Sequence, residues 1–420
     1  MIKIVQVHQN IKSNSSPYKI KKALEKRGII PQIITMGSSV NDANIVVLKS
    51  DLIYKFKTKI FDIRKKIEYK LNYNLLQGYP FSYFEIGIRV DRLKLIKDSD
   101  VIMLHWICGG FISPKVIKKL CLLNKKIIWV CHDSWPFTGG CHVKMGCDLF
   151  KEGCGDCPML QSKIKKDWSY RLLRKKKKSI DKSLFTIVSP SKWMDRNVEE
   201  SFLFKGCNHL VIPNPIDIKK YTKKNKNEIR EKYNIQKNKI IILFGAVNAT
   251  STPYKGYYHL INALNIFFKM INNQNRYEIV VFGAYSGNDD NTIPFKIHYL
   301  GKLSEEQMIE AYSLSDIFVM PTLDDNLPNT VMESLACELP VVSFDTGGVS
   351  DMLLHKKSGY LARYKDDLDL AHGIKWVLDN NQDNNLGRHG RQYICDNFNE
   401  NVVGEKYETL IYNVIDSKCK

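Results

Sequence analysis

Short apolar runs alternate with longer amphipathic stretches along most of this chain. In the first half, Ile2–Val7, Ile29–Thr35, Asn44–Leu48, Val101–Trp106, Lys126–Val130 and Leu184–Val188 have strand length. In the second half, Lys239–Ala246, Tyr277–Phe282, Ile297–Leu303, Ile317–Met320, Val341–Phe344 and Gly359–Ala362 repeat the theme. Helical spacing separates them at Tyr18–Arg27, Ile86–Lys97, Pro114–Leu123, Ile164–Ser179, Glu305–Ser313 and Asp366–Leu378. Strand and helix in alternation predict parallel sheets with helices on their faces, an α/β fold. Asp51–Tyr73 also has helical character, but it is polar and rich in Lys, Tyr and Ile, and reads as an insertion. At 420 residues the chain exceeds one typical domain. The two prolines of P-N-P-I-D (Pro213–Asp217) mark a defined linker. We therefore place one domain at 1–215, a second at 216–397, and a last amphipathic helix within 398–420.

Charge bears on partners more than on fold. Lys and Arg number 63 against 44 acidic residues, a net +19. Nucleic acid, an anionic membrane surface or a phosphorylated substrate all suit that balance. The opening M-I-K-I-V-Q-V-H reads as a first strand, not a secretory signal, and no run approaches 18 apolar residues. A cytoplasmic protein, peripheral at most at the inner face of the cell membrane, is expected. The eleven cysteines are an odd count, which argues against a complete disulfide framework.

The densest chemistry lies between Asp316 and Asp351, in D-I-F-V-M-P-T-L-D-D-N-L-P-N-T-V-M-E-S-L-A-C-E-L-P-V-V-S-F-D-T-G-G-V-S-D. It reads as strand, acidic loop, helix, strand and glycine loop. Asp324 and Asp325 follow where the strand's C-terminal end would lie. Asn329 or Thr330 can cap the helix that carries Glu333. Gly347 and Gly348 allow a ligand close to the backbone. Parallel sheets place ligands at such strand ends. Carboxylates there accept hydrogen bonds from sugar hydroxyls, and backbone N–H groups hold phosphate.

This stretch resembles the signature of family 4 retaining glycosyltransferases: an acidic residue, seven residues, a glutamate, then a small-residue helix end and P-V-V. Here the first acidic position is Asp325, not the usual Glu, and the second is Glu333. The version N-L-P-N-T-V-M-E-S is similar to the branch that builds bacterial surface polysaccharides, including colanic-acid-type glycans. The resemblance implies the GT-B architecture, two Rossmann-like domains facing across a cleft, with the last helix crossing back to the N-terminal domain. It implies a nucleotide-sugar donor, a lipid-linked saccharide acceptor, retention at the anomeric carbon, and no metal or other cofactor required for catalysis. A hexose-type sugar would move to a growing glycan in exopolysaccharide, capsule or O-antigen synthesis. Glu333 would take the ribose hydroxyls and Asp325 the sugar hydroxyls, with Asp324 able to share. Backbone around Asn326, Leu327, Gly347 and Gly348 would add donors.

Two further positions follow the resemblance. Lys255, before Gly256 and an amphipathic helix, matches the phosphate-binding lysine, where an ammonium would neutralise the leaving diphosphate. The arginine usually found six residues earlier is Ala249 here. His132, ending a strand in W-V-C-H-D-S-W-P-F, would face the transferred sugar, and His105 is a weaker candidate for acceptor contact. The loop after His132 carries Cys141, Cys147, Cys154 and Cys157 within 17 residues, with His142 as a spare ligand. Structural zinc, reduced packing thiols and a redox pair are all open readings of it. The basic helix at Ile164–Ser179 suits anionic lipid or a solvated face. The D-x-D pairs Asp98–Asp100 and Asp367–Asp369 read as solvated helix ends, not cation sites. Rival readings are a GT-B phosphorylase or epimerase, and a non-catalytic basic scaffold on anionic lipid or nucleic acid. The set Lys255, Asp325 and Glu333 speaks against the scaffold, and nucleic acid is not an expected partner.

Overall fold

A computed structural model describes residues 2–50, 52–287 and 292–416, excepting the side chain of Ile53. Tertiary contacts divide the chain into two units, Met1–Pro215 with Glu400–Lys420, and Ile216–Asn399.

The strands of the chain are β1 (Ile4–Val7), β2 (Asn10–Ile11), β3 (Gln32–Thr35), β4 (Gly37–Ser38), β5 (Ile45–Val47), β6 (Val101–Leu104), β7 (Lys126–Val130), β8 (Phe185–Ser189) and β9 (Asn208–Val211) in the first unit. The second holds β10 (Ile240–Gly245), β11 (Tyr277–Phe282), β12 (Lys296–Gly301), β13 (Ile317–Val319), β14 (Val341–Phe344) and β15 (Gly359–Ala362). The first unit's main sheet runs β5-β3-β1-β6-β7-β8-β9 and the second unit's β12-β11-β10-β13-β14-β15, while β2 pairs with β4 alone. Every pairing between these strands is parallel. Both sheets are therefore Rossmann-like. Their central strands are buried on both faces, which explains why they read as unbroken apolar runs.

Helices cover those faces. In the first unit they are α1 (Ser16–Glu25), α2 (Leu52–Asn72), α3 (Lys94–Lys97), α4 (Pro114–Cys121), α5 (Trp168–Lys177) and α6 (Lys192–Glu200). In the second they are α7 (Lys226–Lys232), α8 (Tyr257–Met270), α9 (Glu305–Leu314), α10 (Asn329–Ala336), α11 (Asp367–Asn380) and α12 (Asn385–Asn397). The last, α13 (Glu400–Asp416), belongs to the first unit. Its Val403, Tyr407 and Ile411 join Ile20 and Leu24 of α1 over Ile4, Met103 and Ile128 of the sheet. Ion pairs Lys26–Glu400 and Arg27–Glu408 tie α13 to the end of α1. Among the described residues, no helix is long and apolar enough to cross a membrane.

Two expected elements differ. The helix expected over Ile86–Lys97 forms only as the 3-10 turn Val90–Arg92 and the short α3. Ile88 N–H donates to Phe111 O at 2.8 Å, and a Cβ on Gly87 would lie 2.4 Å from Ser113 N. The segment is pinned extended against the loop at Ile107–Ser113, and tertiary contact overrides its helical spacing. Conversely, α12 was not foreseen, because N-N-L-G-R-H-G-R carries two glycines that lower helix propensity. A Cβ on Gly387 would lie 2.1 Å from Glu338 O, and one on Gly390 2.8 Å from a Leu335 methyl. The glycines let α12 pack closely on α10 and the turn after it.

Candidate active site

In the second unit, the loop after β13 is stapled to the turn that carries Lys255. Leu323 N–H donates to Tyr254 O at 2.8 Å, and Thr322 Oγ1 donates to the same oxygen at 3.1 Å. Gly256, with φ +78°, ends the Lys255 turn and starts α8. A Cβ there would lie 1.8 Å from Pro321 O, so only glycine allows this approach. The staple brings Lys255 Nζ to 2.5 Å from Asp325 Oδ2. Burial works against the ammonium, but the Asp325 carboxylate and its hydrogen bond outweigh that, and Lys255 is held above its ordinary value. The two charges are therefore one ion pair, with side chains still 17 % and 18 % exposed.

The glycine loop completes this corner. Gly348 N–H donates to Asp325 O at 3.1 Å. Gly347 has φ +59°, and a Cβ there would lie 1.8 Å from the same oxygen. Gly348 has φ −93°, so of the two glycines it is Gly347 that the backbone conformation requires. Asp324, Asn326 and Leu327 are buried beside Asp325 in sequence. The helix beyond begins at Asn329 with Pro328 at its N-cap and no side-chain cap. Neither Asn329 nor Thr330 caps it, as Pro328 already presets the entry into the first turn.

Glu333 lies on α10 and is 6 % exposed. Tyr312 Oη donates to its Oε2 at 3.2 Å. Burial, and then the Glu333 charge, push the Tyr312 and Tyr221 phenols well up, so both remain hydrogen-bond donors. Sequence reasoning missed both tyrosines. Tyr312 ends the helix before β13 and Tyr221 lies in the segment after the linker, far from Glu333 along the chain.

In the first unit, the C-terminal ends of β1, β6 and β7 converge on a histidine cluster. His105 Nδ1 and His132 Nε2 lie 2.9 Å apart, with their rings stacked at 5.2 Å. His8 Nδ1 accepts from Trp106 N–H at 3.1 Å. Burial, reinforced by neighbouring imidazole, lowers His8 to about 3; burial lowers His132 to about 4. His105, fully buried, is also held well below its ordinary value. These are neutral imidazoles near neutral pH. Asp133 carries the charge beside them. Its Oδ2 meets His142 Nδ1 at 2.6 Å and accepts from Trp106 Nε1 at 2.8 Å. Burial alone would raise Asp133, yet His142 and these hydrogen bonds hold it below the usual carboxylate range. His8, Trp106 and Asp133 were not singled out from sequence, although each stands directly at a predicted strand end.

Cys141, Cys147, Cys154 and Cys157 line one small cavity with Lys144, Phe150 and Ser169. Cys141 and Cys157 share a hydrogen bond that lowers Cys157 and raises Cys141. Among the described residues, no group of three or more His, Cys, Asp or Glu side chains is arranged to hold a metal ion. His142 is engaged elsewhere, by Asp133 and by Ser82 Oγ at 2.7 Å. The D-x-D pairs are also engaged. Asp100 accepts from Lys3 N–H, Asp367 pairs with His259 at 2.6 Å, and Asp369 accepts from Tyr360 Oη at 2.9 Å.

Comparison with known proteins fits this geometry. Residues 225–393 match the family model described as Glycosyl transferases group 1. The putative colanic acid biosynthesis glycosyl transferase WcaC of Escherichia coli is 24% identical over 62% of this chain and 62% of its own length. The N,N'-diacetylbacillosaminyl-diphospho-undecaprenol alpha-1,3-N-acetylgalactosaminyltransferase of Campylobacter jejuni is 29% identical over 28% of this chain and 31% of its own. The chain thus spans less than two thirds of the length of these curated relatives. The fold is shared with the Anabaena protein HepE, solved in complex with UDP-glucose, at TM-score 0.62 and 13% identity over 99% of this chain and 100% of that one.

Proposed function

We propose that this chain, which carries a glycosyl transferases group 1 domain at residues 225–393, is a retaining glycosyltransferase of bacterial polysaccharide synthesis. It moves a hexose-type sugar from a nucleoside-diphosphate sugar to a lipid-linked saccharide. The Lys255–Asp325 pair on the strand-end loops of the second sheet carries this reading. Donor binding would bring the diphosphate to Lys255 and a sugar hydroxyl to Asp325, each replacing part of the pair's mutual contact. Glu333, oriented by Tyr312, would accept from ribose hydroxyls, and the backbone at Asn326, Leu327, Gly347 and Gly348 would add donors. In the reaction the bond from anomeric carbon to diphosphate oxygen breaks and a bond to the acceptor oxygen forms on the same face. The acceptor's proton passes to the leaving diphosphate. The Lys255 ammonium stabilises charge as it develops there, and no step calls for a metal. His132 would place a neutral hydrogen-bonding group toward the sugar. The relative whose name contains diphospho-undecaprenol supports the acceptor class, and the one named for colanic acid biosynthesis supports a role in polysaccharide synthesis.

The test is a panel of nucleotide sugars, read by thermal stabilisation and by release of nucleoside diphosphate with extracted lipid-linked glycan. One donor should stabilise the protein and turn over, and Lys255→Met should slow the release by about 10²–10³. Failure of every donor to bind would sink this reading.

A further inference from the structure

We propose that the outward face of α2 is a docking surface for an anionic lipid bilayer. The helix is 21 residues long, and one stripe of it is apolar and uncovered. Leu52, Phe56, Ile60, Ile63, Ile67 and Leu71 are 83, 67, 52, 53, 57 and 76 % exposed. Their steps of four, four, three, four and four residues keep them on one face. The opposite face is spent on the unit itself. Tyr54 Oη donates to Gly110 O at 2.8 Å, Phe61 stacks on Tyr83 at 6.0 Å, and Tyr69 stacks on Trp168 at 6.4 Å. The helix is therefore held in place with six large apolar side chains in water. An exposed patch of this kind marks an interaction surface.

Charge selects the occupant. α2 has seven Lys or Arg and two acidic residues. At 100° per residue, Lys55, Lys59, Lys66 and Lys70 border the stripe on one side, and Lys57 and Arg64 on the other. Neither acid lies in the stripe, and Glu68 is paired with Arg171. An apolar stripe with basic borders is the pattern of a helix lying in the membrane interface, with lysines reaching the headgroups. A second copy of the chain would set these basic borders against each other across a two-fold axis. Nucleic acid would leave the six apolar side chains without a partner. Beside the Lys66 and Lys70 border, a cavity of about 630 Å³ runs under the helix over Leu75, Phe81, Leu160 and Trp168, which extends the apolar surface inward.

The basic helix that the sequence suggests for lipid, α5, is used differently. Its Lys176 is fully buried, Arg171 pairs with Glu68, and Lys175 pairs with Glu85 at 2.5 Å. Arg174 and Lys177 lie over the Phe202 ring at 4.2 and 3.5 Å. That run of charge is drawn into the protein's own packing, and the segment read as an insertion carries the free face.

Co-sedimentation with vesicles tests the proposal, using phosphatidylcholine alone and phosphatidylcholine mixed with phosphatidylglycerol. The wild type should sediment with the anionic vesicles and less so as salt rises. Ile60→Ser/Ile63→Ser/Ile67→Ser and, separately, Lys59→Glu/Lys66→Glu should each weaken binding by about tenfold or more. Because all five side chains face water, both variants should keep the wild-type circular dichroism spectrum and its stabilisation by the donor nucleotide sugar. That readout separates failure here from failure of the donor site. Equal vesicle binding by wild type and both variants would overturn the proposal, as would no vesicle binding at all. So would a wild-type dimer that the triple serine variant dissolves while vesicle binding persists.

Discussion

The two units handle buried polarity in opposite ways. The second keeps full charges at its strand ends, Lys255 against Asp325, and leaves both partly open to solvent. The first gathers neutral imidazoles at its strand ends around a single carboxylate, Asp133. His8, His105 and His132 are neutral, and a buried lysine, Lys176, is driven down to about 7 by burial. Under the proposed function, the contrast would follow the two needs of a glycosyl transfer. A diphosphate gains charge as it leaves and needs a cation, whereas a sugar hydroxyl is neutral and needs oriented hydrogen bonds.

The sharpest way to break this comparison is to remove the charge from the second unit. Lys255→Met should lower kcat by about 10²–10³ while the fold persists, measured by diphosphate release. Removing the neutral group from the first unit should cost less. His132→Leu should lower turnover by about tenfold, the scale of one lost hydrogen bond. Since His132 is neutral down to about 4, the wild-type pH–rate profile should show no inflection from it above about pH 5.

A smaller effect belongs to Lys176. Its Nζ donates to Thr138 O at 3.0 Å and to Trp135 O, and lies over the Trp135 ring. Its folded value, about 7, is below the ordinary lysine value. Between the two, the unfolded chain binds more protons, so this group makes stability rise with pH, by at most about 1.4 kcal/mol per unit. Above about pH 8.5 the thiols Cys108 and Cys131, pushed up by burial, oppose it. Chemical denaturation at pH 7 and 8 should show the rise, and Lys176→Met should flatten it. The smallest effect concerns the cysteine loop. The four thiols line one cavity but are not arranged to hold a metal, so no zinc should be retained after dialysis against a chelator, and all eleven thiols of the chain should titrate on unfolding. One tightly held zinc per chain would instead make this loop a metal site.

Much of this was legible because apolar runs and the Asp316–Asp351 pattern are local signals. β7, β11, β14 and β15 fall where the runs end. What stayed hidden depends on distant partners. Lys176 sits in a basic run that looks solvated, and only packing against Trp135 and Thr138 shows that it is buried. The Lys255–Asp325 contact joins residues 70 apart, so sequence assigned them separate ligands and could not show that they first neutralise each other. The Asp51–Tyr73 helix was visible as an element, but which face it turns to water was not.

The place of α13 has a consequence for synthesis. Its Val403, Tyr407 and Ile411 complete the core over β1, β6 and β7, yet they come after the whole of the second unit in the chain. On the ribosome, the first unit must wait with that sheet face bare until α13 emerges, after the whole of the second unit. The second unit, continuous from Ile216 to Asn399, can finish before the unit that precedes it. A chain cut before α13 would keep an intact second unit and expose the apolar face of the first, which marks it for aggregation or degradation.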